Sequence, residues 1–145
     1  MANGFHFNID DHTSEVAQKV AEQVNLALNL MGEVVEGYAR EDCPVNTGLL
    51  RNSITHVVAG QSPASRTYHA DKERNGAVRI GRYPGSIGKD TDHACYVGSN
   101  VEYAPAVEFR DINHNVGKAH FLRDAGTHHI DELKDVAQKT LKKID

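Results

Sequence analysis

Between Thr13 and Arg40 the apolar side chains of Val16, Val20, Val24, Ala27, Leu28, Met31, Val34, Val35 and Tyr38 recur at steps of three and four. That period places them on one face of a single long α-helix. Glu15, Lys19, Glu22, Glu33 and Glu36 fall on the other face. Thr13 or Ser14 can cap the helix, and Glu15 suits the positive end of its dipole. Burying apolar side chains of this size is worth roughly 1.5–3 kcal/mol each as an upper figure. A helix with so long an apolar stripe therefore requires a partner layer, and the rest of the chain must provide it. Gly32 and Gly37 each cost the helix about 1 kcal/mol relative to Ala; close packing or a bend would account for them equally.

The helix must end before Pro44, because the residue before a proline is biased away from helical geometry. In the following PVNTGLLRNSI, Asn46 or Thr47 can cap a short helical turn that points Leu49 and Leu50 inward. Ser53 to Ala59 alternates as a strand, Ala77 to Ile80 is a short strand, and Ala94 to Gly98 is another. Gly60 to Gly76 is polar, with Pro63 and a charge cluster. It reads as an extended loop, 60–76, longer than most compact domains carry. Tyr103 to Glu108 forms a short helix or extended turn around Pro105. A last helix from about Ala119 or Phe121 to Ile144 places Leu122, Ala125, His129, Ile130, Leu133, Val136, Ala137, Leu141 and Ile144 on one face. Residues 1–11 alternate Phe5, Phe7 and Ile9 with polar residues. They read as a strand, as an arm that pairs with a neighbour, or as a loose terminus. The sum is a single α+β domain over residues 1–145. Two long helices, N-terminal and C-terminal, pack on a small, mainly antiparallel β-sheet with a long central loop.

Composition narrows the functional classes. The chain has 145 residues, 39% hydrophobic and 25% charged, with a net charge of -4. That balance argues against a generally basic nucleic-acid binder. No apolar run approaches the roughly 20 residues that span a bilayer, so no membrane partner is expected. The N-terminus lacks the basic region and apolar run of a secretory signal. The expected compartment is the cytosol of the cell that makes the protein, where Cys43 and Cys95 are free thiols. Nine histidines are present, but no H-x-x-x-H, H-E-x-x-H or C-x-x-C spacing. Ser53 and Ser99 lack a G-x-S-x-G turn, and no phosphate-binding glycine motif occurs. No catalytic, cofactor-binding or metal-binding residue is expected. Arg66, Lys72 and Arg74, clustered with Arg79 and Arg82 and interleaved with Tyr68 and Tyr83, are candidate DNA contacts, although Asp71 and Glu73 dilute their charge.

Two segments carry a resemblance. After the long helix comes CPVNTGLLRNSI, a Pro-x-Asn-Thr-Gly-x-Leu turn built on Pro44, Thr47, Gly48 and Leu50. Later comes YVGSNVEYAPAVEF, then AHFLRDA at the start of a terminal helix. In this order and spacing the chain resembles the neck and tail-completion proteins of long-tailed, siphovirus-type phages, small α+β proteins that join head to tail. Arg110-Asp111 stand where that family often has Gly-Thr, and His120 stands where it often has Pro. The resemblance implies a non-enzymatic virion subunit, assembled in the host cytoplasm into a homo-oligomeric ring. Six copies would match a tail tube and twelve a portal. Connector, neck and tail-tube proteins would be its partners, with genomic DNA passing through the lumen. In such a ring Phe5, Phe7, Glu102, Tyr103, Glu108 and Arg110 are the candidate interface. Tyr103, Pro105 and Phe109 are expected to fix the turn in the core while Glu102 and Glu108 face a neighbour.

Overall fold

The computed structural model describes residues 12–63, 66–73, 76 and 79–144. The amphipathic stretch forms α1 (Thr13–Asp42), a helix of 30 residues and thus about 45 Å long. It stops where Pro44 holds Cys43 in extended geometry, with φ -63° and ψ 132°. The other elements are α2 (Leu49–Ser53), β1 (Thr55–Val58), β2 (Thr67–His69), β3 (Ile80–Arg82), β4 (Cys95–Gly98), α3 (Ala104–Phe109), α4 (Phe121–Thr127) and α5 (Ile130–Leu141). Mixed helices and antiparallel strands give the expected α+β class.

Among the described residues the strands form two separate antiparallel pairs instead of one sheet. β1 pairs with β4, Thr55 opposite Gly98, and β2 pairs with β3, Thr67 opposite Arg82. The β2 strand lies inside the segment read from sequence as loop. Asn100 ties the two pairs together: its amide donates to Arg82 O at 2.9 Å, and its carbonyl accepts from Tyr68 Oη.

α1 lies across β1 and β4 and against α4 and α5. Gly32 is the point of closest approach: an added Cβ would collide with Cys95 Sγ and sit 3.1 Å from His56 Cβ. Close packing, then, is what Gly32 serves; Gly37 is exposed with nothing near it. Glu36, expected on the solvent face, turns inward. It bonds His56 Nδ1 and pairs with Arg40 at 2.8 Å, while Arg40 donates to Ile54 O through Nε and Nη2. The core gathers at the C-terminal end of α1, where Ala39 and Cys43 meet Leu50, Ile54, Tyr68, Tyr83, Val101, Phe121 and Ala125.

The expected single terminal helix is broken at His128-His129. The run Gly126-Thr127-His128-His129 has low helix propensity, and Thr127 Oγ1 bonds back to Arg123 O at 2.9 Å, a contact that tends to bend helices. The break lets α4 seat Phe121 in the core, while α5 runs back along α1 to place Thr140 O against Gln23 Nε2 at 2.6 Å. His129 stacks on Tyr38 with ring centroids 3.5 Å apart, and Tyr38 Oη donates to Glu132 at 2.6 Å. Residues 12–20 are all exposed, so Val16 and Val20 extend the apolar stripe of α1 along a stretch where nothing in the described chain buries it.

A candidate assembly interface

At the TGLL turn the N-cap of α2 is Gly48 and not the expected Asn46 or Thr47, although Thr47 Oγ1 accepts the Leu49 N–H at 3.4 Å. Gly48 takes φ +82° at the start of α2, a left-handed conformation that glycine adopts without cost. A Cβ there would also crowd the Asp71 side chain. Thr47 O accepts from the N–H groups of Asp71 at 2.8 Å and Lys72 at 3.1 Å, which docks the end of the β2 segment onto the turn. Leu49 and Leu50 are buried as expected. Ser53, at the end of α2, is sealed: its hydroxyl bonds Leu50 O and meets Ser99 Oγ at 2.5 Å, and its carbonyl accepts from Tyr83 Oη. Ser99 in turn accepts from Val101 N at 3.1 Å. The two sequence segments that carry the family resemblance are thereby joined in space.

In α3 the expected places of Glu108 and Phe109 are exchanged. Glu108 was expected to face a neighbour, but it is 6% exposed. Its two carboxylate oxygens accept the N–H groups of Leu122 and Arg123, each at 2.9 Å. The first turn of α4 has no cap of its own, so this carboxylate satisfies donors a helix leaves open and lies at the positive end of its dipole. Phe109, expected in the core, is 76% exposed. Pro105, also exposed, stands in the first turn of α3, where a missing N–H costs nothing. Tyr103 is 40% exposed, and Glu102 and Arg110 are exposed.

From Phe109 the chain runs back over the end of α1. Lys118 N donates to Asp42 O at 2.9 Å and its ammonium pairs with Asp42 at 3.0 Å, while Gly117 lies on the Cys43–Pro44 backbone at φ +78°. A cleft of about 490 Å³ opens between this strap and the TGLL turn, lined by Pro44, Thr47, Leu50, Tyr103, Val107 and Val116 among others. Ile112 and Val116 on the strap are 50% and 58% exposed. No periodicity in the sequence singles out either one, because the strap has no regular secondary structure. His114 Nε2, also at the cleft, is buried without a hydrogen-bond partner among the described residues.

The remaining candidates are not brought together. Phe5, Phe7 and Arg74 lie outside the described residues. Arg66 and Lys72 are exposed at opposite ends of the β2 segment. Arg66 donates to Ser62 Oγ at 3.0 Å, and next to Lys72 the Asp71 carboxylate pairs with Arg51. Both cysteines are free. Burial pushes the Cys43 thiol up to about 12 and raises that of Cys95, so each is held protonated, the reverse of an activated nucleophile. Among the described residues, no three His, Cys, Asp or Glu side chains converge as a metal site, and no helix is long and apolar enough to cross a membrane.

No curated protein and no solved structure matches the chain. The family model described as "Bacteriophage HK97-gp10, putative tail-component" matches residues 8–109. The matched span runs from before α1 through the TGLL turn, both strand pairs and α3, and it ends before the strap, α4 and α5. With well over half of its length matched, including the TGLL turn and the YVGSNVEYAPAVEF stretch, the chain belongs to the HK97-gp10-like family of phage tail components.

Proposed function

We propose that this protein is a structural subunit of the ring that completes the tail of a siphovirus-type phage and joins it to the head connector. Membership of a tail-component family makes other phage structural proteins its partners and the virion its destination; the neck position and the ring are our reading. The observation that carries it is the exposure of Phe109, Ile112 and Val116 at the end of α3 and on the strap, where Val116 also lines the cleft. Exposed apolar side chains of this kind, in a segment where Glu102 and Arg110 are exposed as well, suit a protein–protein contact. A closed ring needs two different faces on each subunit, one fitting the other. Six copies would match a tail tube, with twelve the alternative on the portal side. The net charge of -4 suits a lumen through which DNA slides without being held. The protonated thiols and the sealed Ser53 support a structural role over a catalytic one.

Electron microscopy of the purified protein mixed with connector and tail-tube proteins tests the reading. Rings seated on either partner are expected, and a protein that stays monomeric and never enters virions overturns it. Phage lacking the protein separates completion from the alternative role of tail termination. Full-length tails that fail to join heads indicate completion, whereas tails of irregular length indicate termination.

A further inference from the structure

The β2–β3 pair leaves one strand edge open beside a groove. Tyr83 N donates to Arg66 O at 2.7 Å and Ala70 N to Arg79 O at 3.1 Å. In an antiparallel ladder these bonds alternate between residues. Arg79, Gly81 and Tyr83 therefore turn their backbone groups toward β2, while Ile80 and Arg82 turn theirs away from it. Asn100 takes Arg82 O. No strand among the described residues pairs with the outer edge of β3, and Ile80 is 71% exposed. Alongside lies a groove of about 390 Å³ whose apolar lining includes Leu49, Tyr68, Ile80, Val101 and Tyr103.

A free edge with an apolar floor takes an extended segment whose alternate side chains are apolar. The chain contains one: Phe5-His6-Phe7-Asn8-Ile9. Its own groove lies toward the other end of α1. The groove sits with the core at the Ala39–Cys43 end of α1, where Leu49 and Tyr68 belong to both. Thr13 to Ala39 is twenty-six residues of helix, about 39 Å. Phe5 is eight residues from Thr13, at most about 29 Å of fully extended chain. We propose that Phe5–Ile9 of one copy adds as a strand to β3 of the next, with Phe5, Phe7 and Ile9 facing the groove. The inference rests on the ring reading and deepens it: the arm is one face of a head-to-tail contact and the β3 groove is the other.

The test uses the full chain carrying the photocrosslinker benzoylphenylalanine in place of Phe7, mixed with isotopically heavy unmodified chain and irradiated with its connector and tail-tube partners. Crosslinked peptides joining the arm to Arg79–Arg82 or Asn100–Tyr103 are expected in light–heavy pairs, which only contact between copies produces. If rings form but the crosslinks lie within one chain or on another surface, this inference falls and the ring reading stands. If no assembly forms and no light–heavy pair appears, both fall. Ile80→Pro removes an outward N–H without touching the β2–β3 bonds. It should raise the concentration needed for assembly about tenfold, the effect of one backbone hydrogen bond. A joint Phe5→Asp and Phe7→Asp variant should do at least as much with an unchanged unfolding midpoint. Unchanged assembly in both overturns the proposal.

Discussion

Glu108 and Phe109 are neighbours in the chain with opposite duties, and substituting each in turn separates folding from assembly. The Glu108 carboxylate accepts two backbone N–H groups of α4 at 2.9 Å and is 6% exposed. A hydrogen bond to a charged group contributes about 1.5–3 kcal/mol, and a buried donor left unpaired costs about 1–3 kcal/mol. The start of α4 is partly open, so water can recover part of the loss. Glu108→Ala should therefore cost about 3 kcal/mol in total. In a chain of this size, that lowers the melting temperature by roughly 10 °C. Glu108→Gln keeps one acceptor and loses the charge, and should cost about half as much. Glu108→Lys places a cation at the positive end of a helix and should fail to fold at all. Phe109→Asp, at a site 76% exposed, should stay within about 0.5 kcal/mol of the parent and yet lose assembly with connector and tail-tube proteins.

Urea unfolding followed by circular dichroism reads the stability term, and an unchanged slope confirms that the same surface unfolds. Electron microscopy reads assembly. The reasoning is refuted if Glu108→Ala matches the parent in urea but no longer assembles, because the carboxylate would then be acting at an interface and not as a cap. It is refuted equally if Phe109→Asp unfolds as readily as Glu108→Ala.

Gly32→Ala should lose about 1–3 kcal/mol in urea unfolding by forcing Cys95 and His56 off α1, as overpacked cores do. Gly37→Ala, with open space around it, should gain close to 1 kcal/mol from helix propensity; equal effects would sink the close-packing account. At pH 8 a thiol reagent should leave Cys43 and Cys95 almost unlabelled in the native protein and label both quickly in denaturant, since burial raises both thiols. Rapid native labelling of Cys43 would contradict its burial. Stability should also fall in strong base. Cys43 rises from 9.0 to about 12 and Tyr83 from 10.0 to about 12 on folding, in each case mainly by burial. The folded state therefore holds protons that the unfolded chain releases, and stability is intact below about pH 9 and is lost as pH climbs toward 12. Unfolding midpoints in urea that stay level from pH 8 to about 11 would remove this linkage.

What could be read from the residues alone follows the range of the forces involved. α1 was legible because its period repeats over 30 residues, and the TGLL turn because Pro44 and Gly48 act on their own backbone. β2 was hidden: it has three residues, of which only Tyr68 is buried, too few for an alternation to emerge from a polar run. The break at His128-His129 is likewise local and weak beside the periodicity that runs through it. Glu108 was illegible for a different reason. A carboxylate is by default a surface group, and what draws this one inward is a helix start fourteen residues away whose proximity only the fold creates. The errors at apolar positions share a direction. Val16, Val20 and Phe109 were expected to be buried and are exposed, and Ile80, Ile112 and Val116 join them at the surface. A sequence pattern records which side chains avoid water in the working particle, whereas a single subunit buries only those its own elements can reach. If the ring reading holds, these residues are the part of the pattern that neighbouring subunits complete. The positions at which the pattern and the lone fold disagree then form the map by which contacts between subunits should be sought.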